Sequence, residues 1–394
     1  MRARTFSVLA ASLVLALTAG PLAAPAFATP TAPTAPTART APATAAHRTG
    51  GPDAVALRAA VGVVPNAHAT SALVRIGGTD GTWRGSAGVH DLDSGRPAQP
   101  NALFRAGSTT KVVTAATVLR LAAQGSVDLD APVQRYLPGL FTPDFDKPIS
   151  VRQLLNHTSG IQPGDGLGTD FAELYAHRFD TLTPQEVAAS AIAKGPEFDP
   201  GDRQHYLNIN YTILGLLIEK VTGRSYASEA TRLVLRPAGM RHTYFPGTDP
   251  RIHGPHNRGY QAVRQSDGTT TLVDVTEWNQ ADRWATGDMI STTADLERLI
   301  TALFRGRIVP GPQLREMFTL PPGLPEATMS AGLQVQKAGG KEFWFKTGSR
   351  YGYSSAVGAT RDLSRTVVYS VTATDAKDEA ANPVVDGIIA AALR

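Results

Sequence analysis

The sequence predicts an α+β protein: an antiparallel sheet built from both chain ends and flanked by helices, with a mainly helical subdomain inserted between the two sheet halves. Three observations carry that expectation. Alternating segments punctuated by turn residues lie near the two ends, segments with helical spacing fill the middle, and 394 residues at 42% hydrophobic and 18% charged supply an ordinary globular core. The chain contains no cysteine, so export would bring no disulfides, and thiol nucleophiles, zinc–thiolate sites and iron–sulfur clusters are excluded.

The first segment is an address rather than an element of the fold. Arg2 and Arg4 precede an apolar run over 6–17, and Ala26-Phe27-Ala28 supplies small residues for cleavage, so 1–28 is expected to be a signal peptide removed after Ala28. Its apolar core of about a dozen residues falls short of the roughly 20 needed to span a bilayer. The product is therefore expected to be secreted, extracellular and without a stable membrane anchor; a monomer is expected. Residues 29–52 repeat Thr, Ala and Pro, the composition of a linker or propeptide. Losing Arg2 and Arg4 takes the formal charge from +4 to +2, too balanced to argue for nucleic acid.

The folded unit is expected to span 53–394, with sheet parts about 53–125 and 290–394 and the helical insertion about 126–289. Residues 71–77 and 82–89, separated by the turn Gly78-Thr79-Asp80-Gly81, read as a hairpin. Helical spacing follows over 111–124, 151–155, 184–193, 210–221 and 294–305. Strands are predicted over 331–336, 342–346, 353–360 and 365–372, and a closing helix over 384–393.

The chemistry starts at Ser108. Three residues on stands Lys111, and on a helix that spacing puts both side chains on one face, a nucleophile beside a candidate base. Twenty serines and eight lysines produce roughly 0.4 such spacings by chance, so context must decide. Lys111 opens a run apolar on nearly every side (Val112, Val113, Ala115, Ala116, Val118, Leu119, Leu121), the signature of a buried central helix. A second element, Tyr206-Leu207-Asn208, would aim a phenol and an amide the same way if extended. A third, Lys346-Thr347-Gly348-Ser349, follows the apolar Phe343-Trp344-Phe345 and offers a backbone N–H, close approach at glycine, and a cation for an anion. Nine scattered histidines, with His253 and His256 in a Gly/Pro-rich loop, give no third ligand; no metal and no cofactor are expected.

The ordered set Ser-x-x-Lys, Tyr-x-Asn and Lys-Thr-Gly resembles the penicillin-recognising serine hydrolases, in the branch of D-alanyl-D-alanine carboxypeptidases and class C β-lactamases, over about 53–394. The resemblance implies a β-lactamase/transpeptidase-like fold. It also implies catalysis by Ser108, Lys111, Tyr206 and Asn208, with Ser108 forming an acyl-enzyme, Lys111 and Tyr206 moving its protons and Asn208 orienting the substrate amide. Lys346, Thr347, Gly348 and Ser349 would bind substrate, with Arg350 beside Lys346 and Thr347 at a substrate carboxylate. The amides of Ser108 and Ser349 would form the oxyanion hole. The implied partner is a D-Ala-D-Ala-type peptide or a β-lactam, and the leading expectation is a carboxypeptidase that binds penicillin. A class C-like β-lactamase, an esterase, and a D-amino-acid peptidase or amidase of the same fold are the alternatives. His157, in Asn156-His157-Thr158-Ser159-Gly160, offers an imidazole, but in this family that segment is mostly structural. One departure matters: the closest-looking carboxypeptidases carry His-Thr-Gly where this chain has Lys346-Thr347-Gly348, which leaves carboxypeptidase against β-lactamase open.

Overall fold

The computed structural model describes residues 51–338, 340–378 and 380–393. The expected signal peptide and nearly all of the 29–52 linker lie outside these residues. The first helix opens at Asp53, whose carboxylate accepts the Val55 and Ala56 amides and caps α1 (Ala54–Val61). The hairpin β1 (Ala69–Gly77) and β2 (Trp83–Gly88) follows, then a two-residue strand β3 (Phe104–Arg105) and the long helix α2 (Thr110–Ala123).

Short helices fill the next stretch: α3 (Val133–Tyr136), α4 (Val151–Leu155), α5 (Phe171–Ala176) and α6 (Pro184–Ile192). Ser150 and Thr183 start α4 and α6 with reciprocal capping boxes. Beyond them come α7 (Asn208–Thr222), α8 (Tyr226–Ala230) and α9 (Arg236–Ala238). A hairpin of β4 (Tyr260–Arg264) and β5 (Thr270–Asp274), strand β6 (Ile290–Ser291), α10 (Thr293–Phe304) and α11 (Gly311–Leu314) complete the middle. The chain then returns to the sheet as β7 (Gln334–Ala338), β8 (Lys341–Arg350), β9 (Tyr353–Thr360) and β10 (Thr366–Ala373), and ends in α12 (Pro383–Ala392).

The main sheet runs β2-β1-β10-β9-β8-β7, antiparallel throughout, so both chain ends build it. Its faces bury different partners, following the two-residue alternation of side chains. Val74, Ile76, Ala356, Tyr369 and Val371 pack with Leu57 of α1 and Ile388 of α12. Val357, Ala359 and Val368 face the larger core around α2, α7 and α10. Val112, Val113, Val118 and Leu119 of α2 are all inaccessible, which explains why its sequence has no polar face. Its threonines satisfy their hydroxyls internally, as Thr110 does on the Gly107 carbonyl at 2.7 Å and Thr117 on Val113 at 2.8 Å.

Four features, among others, depart from the sequence reading. The β4–β5 hairpin and α1 were not anticipated, and β7 begins at Gln334 rather than 331 because a turn closed by Ser330 N–H to Leu333 O (2.9 Å) precedes it. Strand β8 also runs four residues past 346, carrying Lys346 to Ser349 inside the sheet. Among the described residues no helix is long and apolar enough to cross a membrane.

Candidate active site

Ser108 stands in a 3₁₀ turn (Gly107–Thr109) that runs straight into α2, so Lys111 follows within the first helical turn. Gly107 adopts φ +54°, a backbone state that glycine takes at no steric cost, and this presents Ser108 half-exposed at the head of the helix. Lys111 is fully buried. Its Nζ contacts Asn208 Oδ1 at 2.7 Å, the Thr286 carbonyl at 2.8 Å and Ser108 Oγ at 3.3 Å. Burial, then the positive charges of Lys346, Arg283 and Lys377, hold its pKa well below the usual lysine value.

Tyr206 and Asn208 converge on the same point. Leu207 between them is extended (φ −136°, ψ 143°), so the two side chains project together, Asn208 as the first residue of α7. Two lysine nitrogens approach the Tyr206 ring, Lys111 Nζ at 5.1 Å and Lys346 Nζ at 4.7 Å from its centroid. Its hydroxyl is buried and makes no hydrogen bond of good geometry, yet lies near enough to Ser108 to feel it. Burial raises the phenol pKa, partly offset by Ser108, so Tyr206 stays protonated at neutral pH. His157 supports this wall rather than the chemistry. It tilts against Tyr206 (4.6 Å) and stacks on Tyr211 (5.1 Å), its Nδ1 faces Asn210 Nδ2 at 3.3 Å, and burial keeps the ring neutral.

The third element supplies the opposite wall. β7 pairs with β8 only as far as Phe345, so among the described residues one edge of 346–350 has no strand neighbour. The Ser108 turn fills part of that space. A Cβ on Gly107 would stand 2.5 Å from Ser349 N, and one on Gly348 would stand 2.0 Å from the Ala106 carbonyl. Only glycine at both positions allows this approach, and it sets the Ser349 amide beside Ser108. Lys346 is buried and shifted down to about 7 by that burial. Thr347 is exposed, and Ser349 donates its hydroxyl to the Ala376 carbonyl.

Arg350 does not join Lys346 and Thr347 as an anion receptor. It is 4% exposed and donates to Asp282 Oδ1 at 3.1 Å, a buried pair that ties β8 to the 281–283 turn. Two contributors lie outside the sequence motifs. The Thr286 carbonyl holds Lys111, and Lys377 reaches from beyond β10 to the Ser349 carbonyl at 3.0 Å. Neither leaves a local signature, since a backbone carbonyl has no residue type and Lys377 lies 28 positions from its partner.

Comparison with known proteins places the fold among solved structures and curated relatives. A structure of the D-stereospecific amidohydrolase from Streptomyces sp. superposes with a TM-score of 0.74 at 32% identity, covering 86% of this chain and 98% of that one. The D-amino acid amidase from Ochrobactrum anthropi SV3, complexed with D-phenylalanine, gives 0.70 at 25% identity, covering 86% and 98%. Esterase EstB from Burkholderia gladioli is 34% identical over 197 residues, 47% of this chain and 50% of the esterase, so the match spans about half of that relative. The Beta-lactamase family model matches residues 24–390, and with a penicillin-recognising fold around its paired Ser108 and Lys111 the chain belongs to that family of serine hydrolases.

Proposed function

We propose that this protein is a serine amidohydrolase that opens amide bonds beside a D-configured residue through an acyl-enzyme on Ser108. The observation that carries the reading is the contact pattern of Lys111. Its two short contacts go to carbonyl oxygens, which can only accept, and the longest goes to a hydroxyl, which can donate. A neutral amine has two N–H groups and one lone pair, so Lys111 in that form donates to Asn208 and Thr286 and accepts from Ser108.

The reaction follows from these positions. Lys111 takes the Ser108 proton as Oγ bonds to the substrate carbonyl carbon, and the oxyanion meets the Ser108 and Ser349 amides. The C–N bond then breaks, Tyr206 gives its proton to the leaving amine, and Lys111 returns one to the phenolate. Water attacks the ester by the same route in reverse and frees Ser108. Similarity to the D-stereospecific amidohydrolase over nearly its whole length supports a D-configured acyl part. D-Ala-D-Ala-type peptides belong to this class, and a carboxypeptidase acting on them would have Lys346 and Thr347, without Arg350, for the terminal carboxylate.

A class C-like β-lactamase is the second reading, favoured by Lys346-Thr347-Gly348. The test is release of 4-nitroaniline from N-acetyl-D-alanine 4-nitroanilide and its L enantiomer, with intact mass measured after benzylpenicillin. The D substrate should be preferred and Ser108→Ala inactive. Equal turnover of both enantiomers, or activity surviving Ser108→Ala, would overturn the proposal. A penicillin adduct that turns over within seconds would favour the β-lactamase. We also propose that the chain is exported, on the strength of residues 1–28, which cell fractionation tests.

A further inference from the structure

Lys377 lies between β10 and α12, remote in sequence from every motif above, and its segment is built to hold it at the active-site edge. Asp375 Oδ1 accepts the amides of Lys377 and Asp378 at 3.2 and 3.1 Å, and the Ser349 hydroxyl donates to the Ala376 carbonyl. The Lys377 side chain is exposed overall, but its nitrogen end is desolvated and lies near Arg350 and Arg283, which holds its pKa down to about 7. That nitrogen donates to the Ser349 carbonyl at 3.0 Å and lies 6.0 Å from the Tyr351 ring centroid.

The two ends of this edge carry different parts of a substrate. Lys346 lies against Tyr206, which protonates the leaving amine, so the leaving group occupies the Lys346 end. Ser349 stands three residues further along an extended strand, roughly 10 Å away, so the acyl part runs toward it. A peptide laid along an unpaired strand edge would offer an amide N–H to the Ser349 carbonyl. Here an ammonium already occupies that acceptor. The complementary group at this end is itself an acceptor, best a carboxylate, which can take the remaining N–H groups of Lys377 as charge-assisted bonds.

We infer that Lys377 is a specificity-determining residue that selects acyl donors carrying a carboxylate on the acyl side of the scissile bond. This inference rests on the amidohydrolase reading above. The test compares N-succinyl- with N-acetyl-D-alanine 4-nitroanilide, which differ by one carboxylate on that side, in wild type, Lys377→Met and Lys377→Arg. The wild type should favour the succinyl substrate by about tenfold in kcat/KM, mostly through KM, as one charge-assisted contact in a half-open cleft allows. Lys377→Met should bring the ratio near one and Lys377→Arg should keep most of it. A wild-type ratio near one, or a methionine variant that slows both substrates alike, would overturn the inference. Labelling of Ser108 by a fluorophosphonate probe separates the two claims: labelling without a preference defeats this one alone, and no labelling defeats both.

Discussion

Replacing Lys346 by methionine should move the acid limb of the pH–rate profile upward. The Lys111 and Lys346 nitrogens lie 5.1 and 4.7 Å from one ring centroid, so they are at most about 10 Å apart. At an effective dielectric constant of about 20, two unit charges at that distance repel by about 1.7 kcal/mol, a little over one pKa unit. The sign follows from which form is active. Lys111 must be neutral to accept the Ser108 proton, so rate is lost as pH falls through its pKa, and a positive Lys346 keeps that pKa low. Lys346 is itself held down to about 7, and burial is the cause. Removing the Lys346 charge should therefore raise the Lys111 pKa and shift the limb by about one pH unit toward alkaline. The assay is kcat/KM for N-acetyl-D-alanine 4-nitroanilide across roughly pH 5 to 9, with Lys346→Arg as the charge-retaining control. A limb that stays in place, or moves toward acid, would refute Lys111 as the titrating base.

Tyr206→Phe removes the leaving-group acid while keeping the ring beside the Lys111 and Lys346 nitrogens. It should lower kcat on the order of a hundredfold to ten-thousandfold with little change in KM, measured by steady-state kinetics. Gly348→Ala would place a methyl 2.0 Å from the Ala106 carbonyl, which also receives the Ser355 and Thr109 hydroxyls at 2.9 Å. The nucleophile turn should be forced off the strand, at a cost of about 1–3 kcal/mol in urea unfolding and most of the activity. Asp282→Asn leaves Arg350 buried and uncompensated, so it should destabilise by about 3–5 kcal/mol, and Arg350→Met should recover part of that loss. Burial pushes the Asp282 pKa up, but Arg350 and Arg283 outweigh it and hold the carboxyl below its ordinary value. The pair's stability is therefore present above the unfolded carboxylate pKa of about 4 and lost as pH falls through the lower folded value, readable as a Tm that drops in acid.

What the sequence discloses and what it withholds divide along range of interaction. Strands β9 and β10 are legible to within a residue because both faces of the sheet are covered, which forces dense apolar alternation at Tyr353–Thr360 and Thr366–Ala373. Ser108 and Lys111 are legible because three residues on a helix fix their relation without help from elsewhere. Asn208 is legible as a neighbour of Tyr206, but that its Oδ1 grips Lys111 across 97 positions is not. The engagement of Arg350 by Asp282, 68 positions away, is equally silent, and the family resemblance implied a substrate carboxylate for that guanidinium instead. The β4–β5 hairpin left a usable signal in Ser266-Asp267-Gly268 before Thr270–Asp274, with Asp267 capping the Thr269 amide at 2.9 Å. Asp53 before the alanine-rich stretch Ala54-Val55-Ala56-Leu57 marked α1 in the same way.

The unpaired stretch of β8 bears on how the molecule avoids its own kind. A row of free amides and carbonyls at a sheet edge is a template on which a second chain can add a strand, and extended assemblies grow from such edges. Here the row is interrupted: Gly107 presses on Ser349 from one side, Lys377 holds its carbonyl, and the Ser349 hydroxyl is turned to Ala376. A short, guarded opening admits a small acyl compound and is too brief for a neighbouring β-strand to register against. The contacts that shape the catalytic slot thus also act as a guard on colloidal behaviour, and loosening the 375–378 turn should be felt first as self-association in concentrated solution.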